Sequence, residues 1–256
     1  MAGAPFLKRI YVVPERVPTD QGFPYDLPVV QNLDLSFKKP VTYFVGENGS
    51  GKSTLVEAIA EACGLPVSGG GRNEAADRHG PEQRSALGAA LRASFSRRPR
   101  DGYFFRAEFH AHFATLLDER RKDPEFCGDP YARYGGRSLH SQSHGEAFLA
   151  IFLNRVQSGV ILMDEPESAL SPQRQLALLT RMGELAATGR SQFIIATHSP
   201  VLLTFPDADI VSLDDIPLRS VRLEDTSHYQ ITRGILEAPE RYWRLLRKES
   251  SDEGPA

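Results

Sequence analysis

Nine consecutive residues carry the first chemical signal. Gly46-Glu47-Asn48-Gly49-Ser50-Gly51-Lys52-Ser53-Thr54 fits G-x-x-x-x-G-K-[ST] at every fixed position. Gly46, Gly49 and Gly51 let backbone N–H groups turn inward, and a concave row of such donors suits phosphate. A helix starting just after the loop adds a dipole that favours anions. Lys52 then supplies a point charge to the outer phosphates. Ser53 offers its hydroxyl to Mg2+. The candidate nucleotide-binding set here is Gly46, Asn48, Gly49, Ser50, Gly51, Lys52, Ser53 and Thr54.

A second signal is acidic. Asp164 and Glu165 close the apolar run Val160-Ile161-Leu162-Met163, just before Pro166. Ligands of open α/β sheets gather at the carboxyl ends of strands. Asp164 fits a Mg2+ ligand alongside Ser53. Glu165 fits the general base that orients an attacking water. Two acids could also simply cap the helix that follows.

Three further segments complete the pattern. They are Ser143-His144-Gly145-Glu146, Ser168-Ala169-Leu170-Ser171 and Ala196-Thr197-His198-Ser199-Pro200. With them the chain resembles ABC-class P-loop ATPases, in particular the soluble RecF-like and SMC-like branch, and a group of small bacterial AAA-family ATPases. Ser143, Gly145 and Glu146 match the signature motif; His144 stands where a glycine is common and carries no role over. Residues 168–171 resemble the D-loop, and His198 resembles the switch histidine. Ser143 with Glu146 three residues on also fits a helix capping box, and both roles can coexist.

The resemblance implies ATP and Mg2+ as cofactors, with Glu165 and His198 catalytic. It implies that Ser143 and Gly145 bind nucleotide held by a second copy, so that ATP makes a homodimer. The function expected is a nucleotide switch in DNA maintenance or phage defence. Two other readings stay open: the ATPase subunit of an ABC transporter, and a nucleotide-gated interaction module that does not hydrolyse. The resemblance also calls for a base-stacking aromatic, for which Tyr25 and then Phe23 are placed, and a Q-loop residue, for which Glu108 and Gln83 are candidates. Arg72 with Asn73 could approach the nucleotide or lie in a solvated loop.

These residues need a scaffold. Period-2 and apolar runs predict strands at 8–13, 41–45, 102–109, 160–163, 192–196, 210–213 and 220–223, and a weaker one across 29–37. Helical spacing predicts helices at 53–63, 82–98, 110–122, 145–157, 172–187 and 239–248. Residues 68–81 and 123–143 read as loops. Alternating strands and helices predict an α/β P-loop NTPase fold with a mainly parallel sheet. We expect one domain over 1–256, with a core at about 1–66 and 145–235. A small lobe of helices and loops is expected at about 67–144, and a terminal amphipathic helix at 239–248. Residues 55–140 carry no long heptad run, which excludes a coiled-coil arm.

Bulk properties narrow the partners. Thirty basic residues against 33 acidic give a net charge of −3, so no global field draws nucleic acid or anionic membrane. Local clusters remain: Arg97, Arg98 and Arg100, and the stripe Arg241, Arg244, Arg247 and Lys248. They are DNA candidates or solvated faces. Tyr242, Trp243, Leu245 and Leu246 suit packing against the body or a protein partner. The N-terminal ten residues have no apolar signal segment, and the run 147–153 is too short to span a bilayer, so no direct membrane insertion is expected. Cys63 and Cys127 form no CxxC pair and read as reduced thiols of a cytoplasmic protein.

Overall fold

The apolar runs at 41–45, 160–163 and 192–196 have no polar face, so strands made from them must be covered on both sides. The computed structural model, which describes residues 3–19, 22–72, 84–124 and 126–252, covers them that way. In chain order its elements are β1 (Leu7–Val12), α1 (Pro28–Gln31), β2 (Asp34–Ser36), β3 (Val41–Val45), α2 (Lys52–Ala62), β4 (Gly70–Gly71), α3 (Ala86–Ala90) and β5 (Leu91–Phe95). There follow β6 (Gly102–Arg106), α4 (Ala107–Lys122), α5 (His144–Arg155), β7 (Gly159–Asp164), α6 (Pro172–Ala187) and β8 (Ser191–Ala196). The chain ends with β9 (Asp209–Ser212), β10 (Arg219–Val221), α7 (Ser227–Glu237) and α8 (Pro239–Asp252).

Among the described residues, the main sheet has the order β10-β9-β3-β8-β7-β6-β4. Strands β9, β3, β8, β7 and β6 run parallel, with antiparallel edges at β10 and β4. Alternate residues build two cores. Tyr43, Phe105, Ile161, Met163, Phe193 and Ile195 pack with Phe113, Phe148, Phe152, Leu178 and Met182 of α4, α5 and α6. Phe44, Phe104, Leu162 and Ile194 pack with Leu55, Val56 and Ile59 of α2 and with Leu7 and Ile10 of β1. β1 belongs to a second, antiparallel sheet, β2-β1-β5.

Several expectations needed correction. The strand expected at 29–37 is a short helix and then β2. Pro28 suits the first helical turn, and Val29 and Val30 bury. The helix expected at 82–98 is only one turn, capped by Ser85 accepting from Gly88 N. The chain then pairs as β5 with β1, and that long-range pairing overrides local helical spacing. Within the span 67–144, residues 91–95 join the second sheet and residues 102–106 the main one. The strand expected at 102–109 stops at Arg106, where α4 begins. Helix α7 was not foreseen; Thr226 caps it by accepting from Tyr229 N. Asn73 and Gln83 lie outside the described residues.

Gly159 opens β7 at φ +104°, and a Cβ there would sit 2.0 Å from Asp101 O. Gly159→Ala is expected to destabilise the fold by at least ~1–3 kcal/mol, the cost of a strained backbone well, before the clash is counted. Urea unfolding of the two proteins is the measurement. An unchanged midpoint would contradict this.

Candidate active site at the carboxyl edge of the sheet

Parallel pairing sets the site. Phe44 and Asp164 both align with Ala196, Val45 aligns with Ser212, and Arg106 aligns with Asp164. The residues that follow each strand, Gly46, Glu165, Thr197-His198 and Leu213-Asp214, therefore leave the sheet along one edge. The acidic pair and the histidine motif, far apart in sequence, arrive beside the phosphate-loop motif for this reason.

The loop after β3 turns on glycines. Gly49 and Gly51 sit at φ +85° and +93°, and a Cβ on Gly51 would press on Val29 at 2.9 Å. Asp214 anchors the loop's entry by accepting from Glu47 N at 2.9 Å. Lys52 is 4% exposed and donates to Gly46 O at 2.8 Å and Glu47 O at 3.0 Å. Its burial lowers its pKa, while Glu165, Asp214, Asp164 and Glu47 oppose that shift. Ser50 Oγ is buried with no hydrogen-bond partner among the described residues. Asn48 is exposed at the loop tip, and Thr54 is half-buried in the first turn of α2.

Ser53 Oγ donates to Asp164 Oδ1 at 3.1 Å. Burial pushes the Asp164 carboxyl up to about 6, against the Ser53 hydrogen bond, while Glu165 pushes the same way. A cation here would relieve that desolvated charge. Among the described residues no three His, Cys, Asp or Glu side chains cluster as a metal site. Two hard oxygen donors without a full cage are what Mg2+ takes when phosphates supply the remainder.

Glu165 has φ 48° and ψ 55°, a left-handed conformation that costs a non-glycine residue roughly 1–3 kcal/mol. Its N–H donates to Ala196 O, which holds the turn in place. Its carboxylate is 3.5 Å from His198 Nε2, an ion-pair distance, yet that nitrogen has no aligned hydrogen bond. His198 Nδ1 lies 2.6 Å from His228 Nε2. Glu167 accepts from Thr197 Oγ1 at 2.8 Å and His198 N at 2.5 Å, pinning the end of β8 to the turn after β7.

The structure thus brings together the loop 46–54, Asp164, Glu165 and His198. It does not bring Ser143 or Gly145 into that set. Ser143 caps α5, with Ser143 Oγ donating to Glu146 Oε2 at 2.7 Å and Ser143 N to the same oxygen at 2.9 Å. Arg174 donates to Ser143 Oγ at 3.2 Å and pairs with Glu146. A Cβ on Gly145 would meet Ala169 O at 2.7 Å, so this helix start lies against the segment 168–174.

Of the other candidates, Tyr25 and Arg72 are already engaged within the chain. Tyr25 is buried and donates from its hydroxyl to Ala86 O at 2.6 Å, so it has no open face for a base; Phe23 is exposed. Arg72 Nη2 donates to Cys63 O and caps the end of α2. Glu108 lies in the first turn of α4. Four site residues escaped the sequence reading: Asp214, Glu167, His228, and Arg106, which pairs with Glu57 at 2.7 Å beside Asp164. No local signal marked Arg106, because the strand that ends there was expected to run on to residue 109.

Residues 24–113 match a family described as "AAA domain", and residues 146–204 match "AAA domain, putative AbiEii toxin, Type IV TA system". The chain is similar to the petrobactin import ATP-binding protein FpuD of Bacillus anthracis. That match is 25% identical over 213 residues, 73% of this chain and 72% of the relative. In three dimensions it is similar to the ADP conformation of MJ1267, an ATP-binding cassette of an ABC transporter. The TM-score is 0.50 at 16% identity, covering 90% of this chain and 98% of the other. The fold is that of an ABC-type ATPase cassette. The SMC head domain from Thermotoga maritima aligns at a TM-score of 0.44 and 16% identity, over 85% of this chain and 98% of that domain. Among the described residues no helix is long and apolar enough to cross a membrane.

Proposed function

We propose that this chain is an ATPase that binds ATP and Mg2+ on the loop 46–54 and hydrolyses the nucleotide between two copies of itself. The convergence of Lys52, Ser53, Asp164, Glu165 and His198 on one sheet edge supports the reading. In it, the loop's N–H groups and Lys52 hold the β- and γ-phosphates. Ser53 and Asp164 hold Mg2+, which neutralises charge on the phosphate oxygens when bound. Glu165 orients the attacking water and takes its proton, and His198 donates from Nε2 to a γ-phosphate oxygen. Ser143 and Gly145 complete the site of the partner copy. The likeness to the RecF-like and SMC-like branch, with the match to a family described by a toxin–antitoxin system, supports a switch in DNA maintenance or defence. Free Cys63 and Cys127 are in keeping with a cytoplasmic protein.

Glu165→Gln keeps the size and the turn but loses the base. It is expected to bind ATP as the wild type does and to turn over at least ~10²-fold slower. Steady-state phosphate release and calorimetric titration measure the two quantities. A wild-type rate in the variant would remove Glu165 from this role. The likeness to an import ATP-binding protein favours a second reading, an ATPase subunit of a transporter, and a copurifying membrane polypeptide would select it.

A further inference from the structure

We infer that His228, the second residue of α7, is the positioning residue that decides which ring nitrogen of His198 carries the proton. This rests on the ATPase reading only for what His198 faces; the ring geometry stands apart from it.

The ring of His198 is fixed from two sides. Its backbone N–H is tied to Glu167, and its Nδ1 lies 2.6 Å from His228 Nε2, with ring centroids 4.8 Å apart. At that distance one nitrogen must donate and the other must accept. Two arrangements are possible. His198 can donate from Nδ1, which leaves a lone pair on its Nε2. Alternatively, His228 donates from Nε2, and His198 then carries its proton on Nε2.

The surroundings choose between them. His198 Nε2 is buried without an aligned partner, and Glu165 Oε1 is 3.5 Å away. A lone pair 3.5 Å from a carboxylate, and beside any phosphate oxygen brought to it, is repulsive; an N–H is attractive. Nor does a second proton on the ring settle the matter. Burial, then the nearby Lys52 charge, lowers the His198 pKa, against Glu165, Glu47 and Asp214. Burial, then His198 itself, lowers that of His228, with Lys52 acting the same way and Glu47 and Asp214 opposing. Both rings are therefore neutral near neutral pH, and a neutral His198 can present Nε2–H only if a neighbour donates to Nδ1. Among the described residues, His228 is the group at that nitrogen.

Two substitutions of His228 separate the donor from mere bulk. His228→Gln still offers an N–H. His228→Glu, when ionised, can only accept, so it draws the His198 proton onto Nδ1. Imidazole 15N NMR on the full chain without nucleotide reads the tautomer directly, with His198→Gln used for assignment. His198 is expected to carry its proton on Nε2 in the wild type and in His228→Gln, and on Nδ1 in His228→Glu near pH 8. Turnover should stay within about 3-fold of wild type for glutamine. It should fall at least ~10-fold for glutamate at about pH 8, the scale of one lost hydrogen bond to a charged group. The glutamate also raises the His198 pKa, so a second proton returns Nε2–H as pH falls, and the deficit should shrink towards about pH 6. A merely structural role for His228 would give no such pH-dependent recovery.

A wild-type His198 protonated on Nδ1 would overturn the inference. So would a glutamate variant that matches the glutamine variant in both tautomer and pH profile. If the glutamate variant does not fold, the wild-type tautomer alone decides. The expected tautomers in a wild-type protein with no ATP turnover would refute the ATPase reading and leave His228 in its assigned role.

Discussion

Lys52→Ala is expected to weaken ATP binding at least ~10²-fold, beyond ordinary calorimetric detection, from the loss of two charge-assisted hydrogen bonds worth about 1.5–3 kcal/mol each. Lys52 is the only lysine or arginine between Gly46 and Thr54, so the loop has no substitute cation. Its ammonium is already buried and held by two carbonyls of the loop, Gly46 O and Glu47 O. The charge is therefore placed before any phosphate arrives, and little side-chain entropy remains to be lost on binding. An ammonium has three donors, so two bonds to phosphate use the one beyond the two carbonyls and replace one carbonyl bond. The carboxylates of Glu165, Asp214, Asp164 and Glu47 already oppose the lowering of its pKa, and a phosphate would add to them. Thermal unfolding must accompany the titration, since a buried charge is being removed. Unchanged affinity in a folded variant would show that this loop is not the nucleotide site.

The parts of the molecule that were legible in sequence are those written locally. The phosphate-loop glycines, the apolar run into Asp164 and the run into His198 each carry strand and turn within about a dozen residues, so the parallel sheet and the segments that meet at its carboxyl edge could be read directly. What escaped depends on long-range packing. Residues 86–95 have apolar spacing that suits a helix, and only pairing with β1 makes 91–95 a strand. Tyr25 holds the right place in the sequence for a base-stacking ring, but the carbonyl of Ala86, 61 residues away, claims its hydroxyl. His228 stands 30 residues beyond His198 in a helix that was not foreseen, and no short motif marks it. Ser143 carries two readings in the sequence. Its capping box is present, and it leaves the second reading open, because the same hydroxyl sits at a helix N-terminus where an anion would be welcome.

Ser143→Arg tests that second reading and is expected to abolish turnover without abolishing ATP binding. Ser143 and Gly145 lie against the segment 168–174, and among the described residues no hydrogen bond or ion pair links them to the loop 46–54 of the same chain. If they contact a γ-phosphate, the natural donor of that phosphate is a second copy related by a two-fold axis. An arginine at position 143 would block that approach. Turnover should fall below about a hundredth of wild type, the scale of losing a fixed donor to a developing charge. The closed dimer should disappear from light scattering at the same time. The substitution also removes a helix cap worth about 1 kcal/mol, so Ser143→Ala, which loses the cap without the bulk, is the control for stability. Mixing separates the mechanisms further. A Lys52→Ala chain binds no ATP but still presents Ser143; a Ser143→Arg chain binds ATP but presents no serine. Neither should hydrolyse alone, and together they should form a dimer with one working site and recover turnover. A site contained within one chain predicts no recovery on mixing. A Ser143→Arg protein that hydrolyses ATP at the wild-type rate as a monomer would end the composite-site proposal.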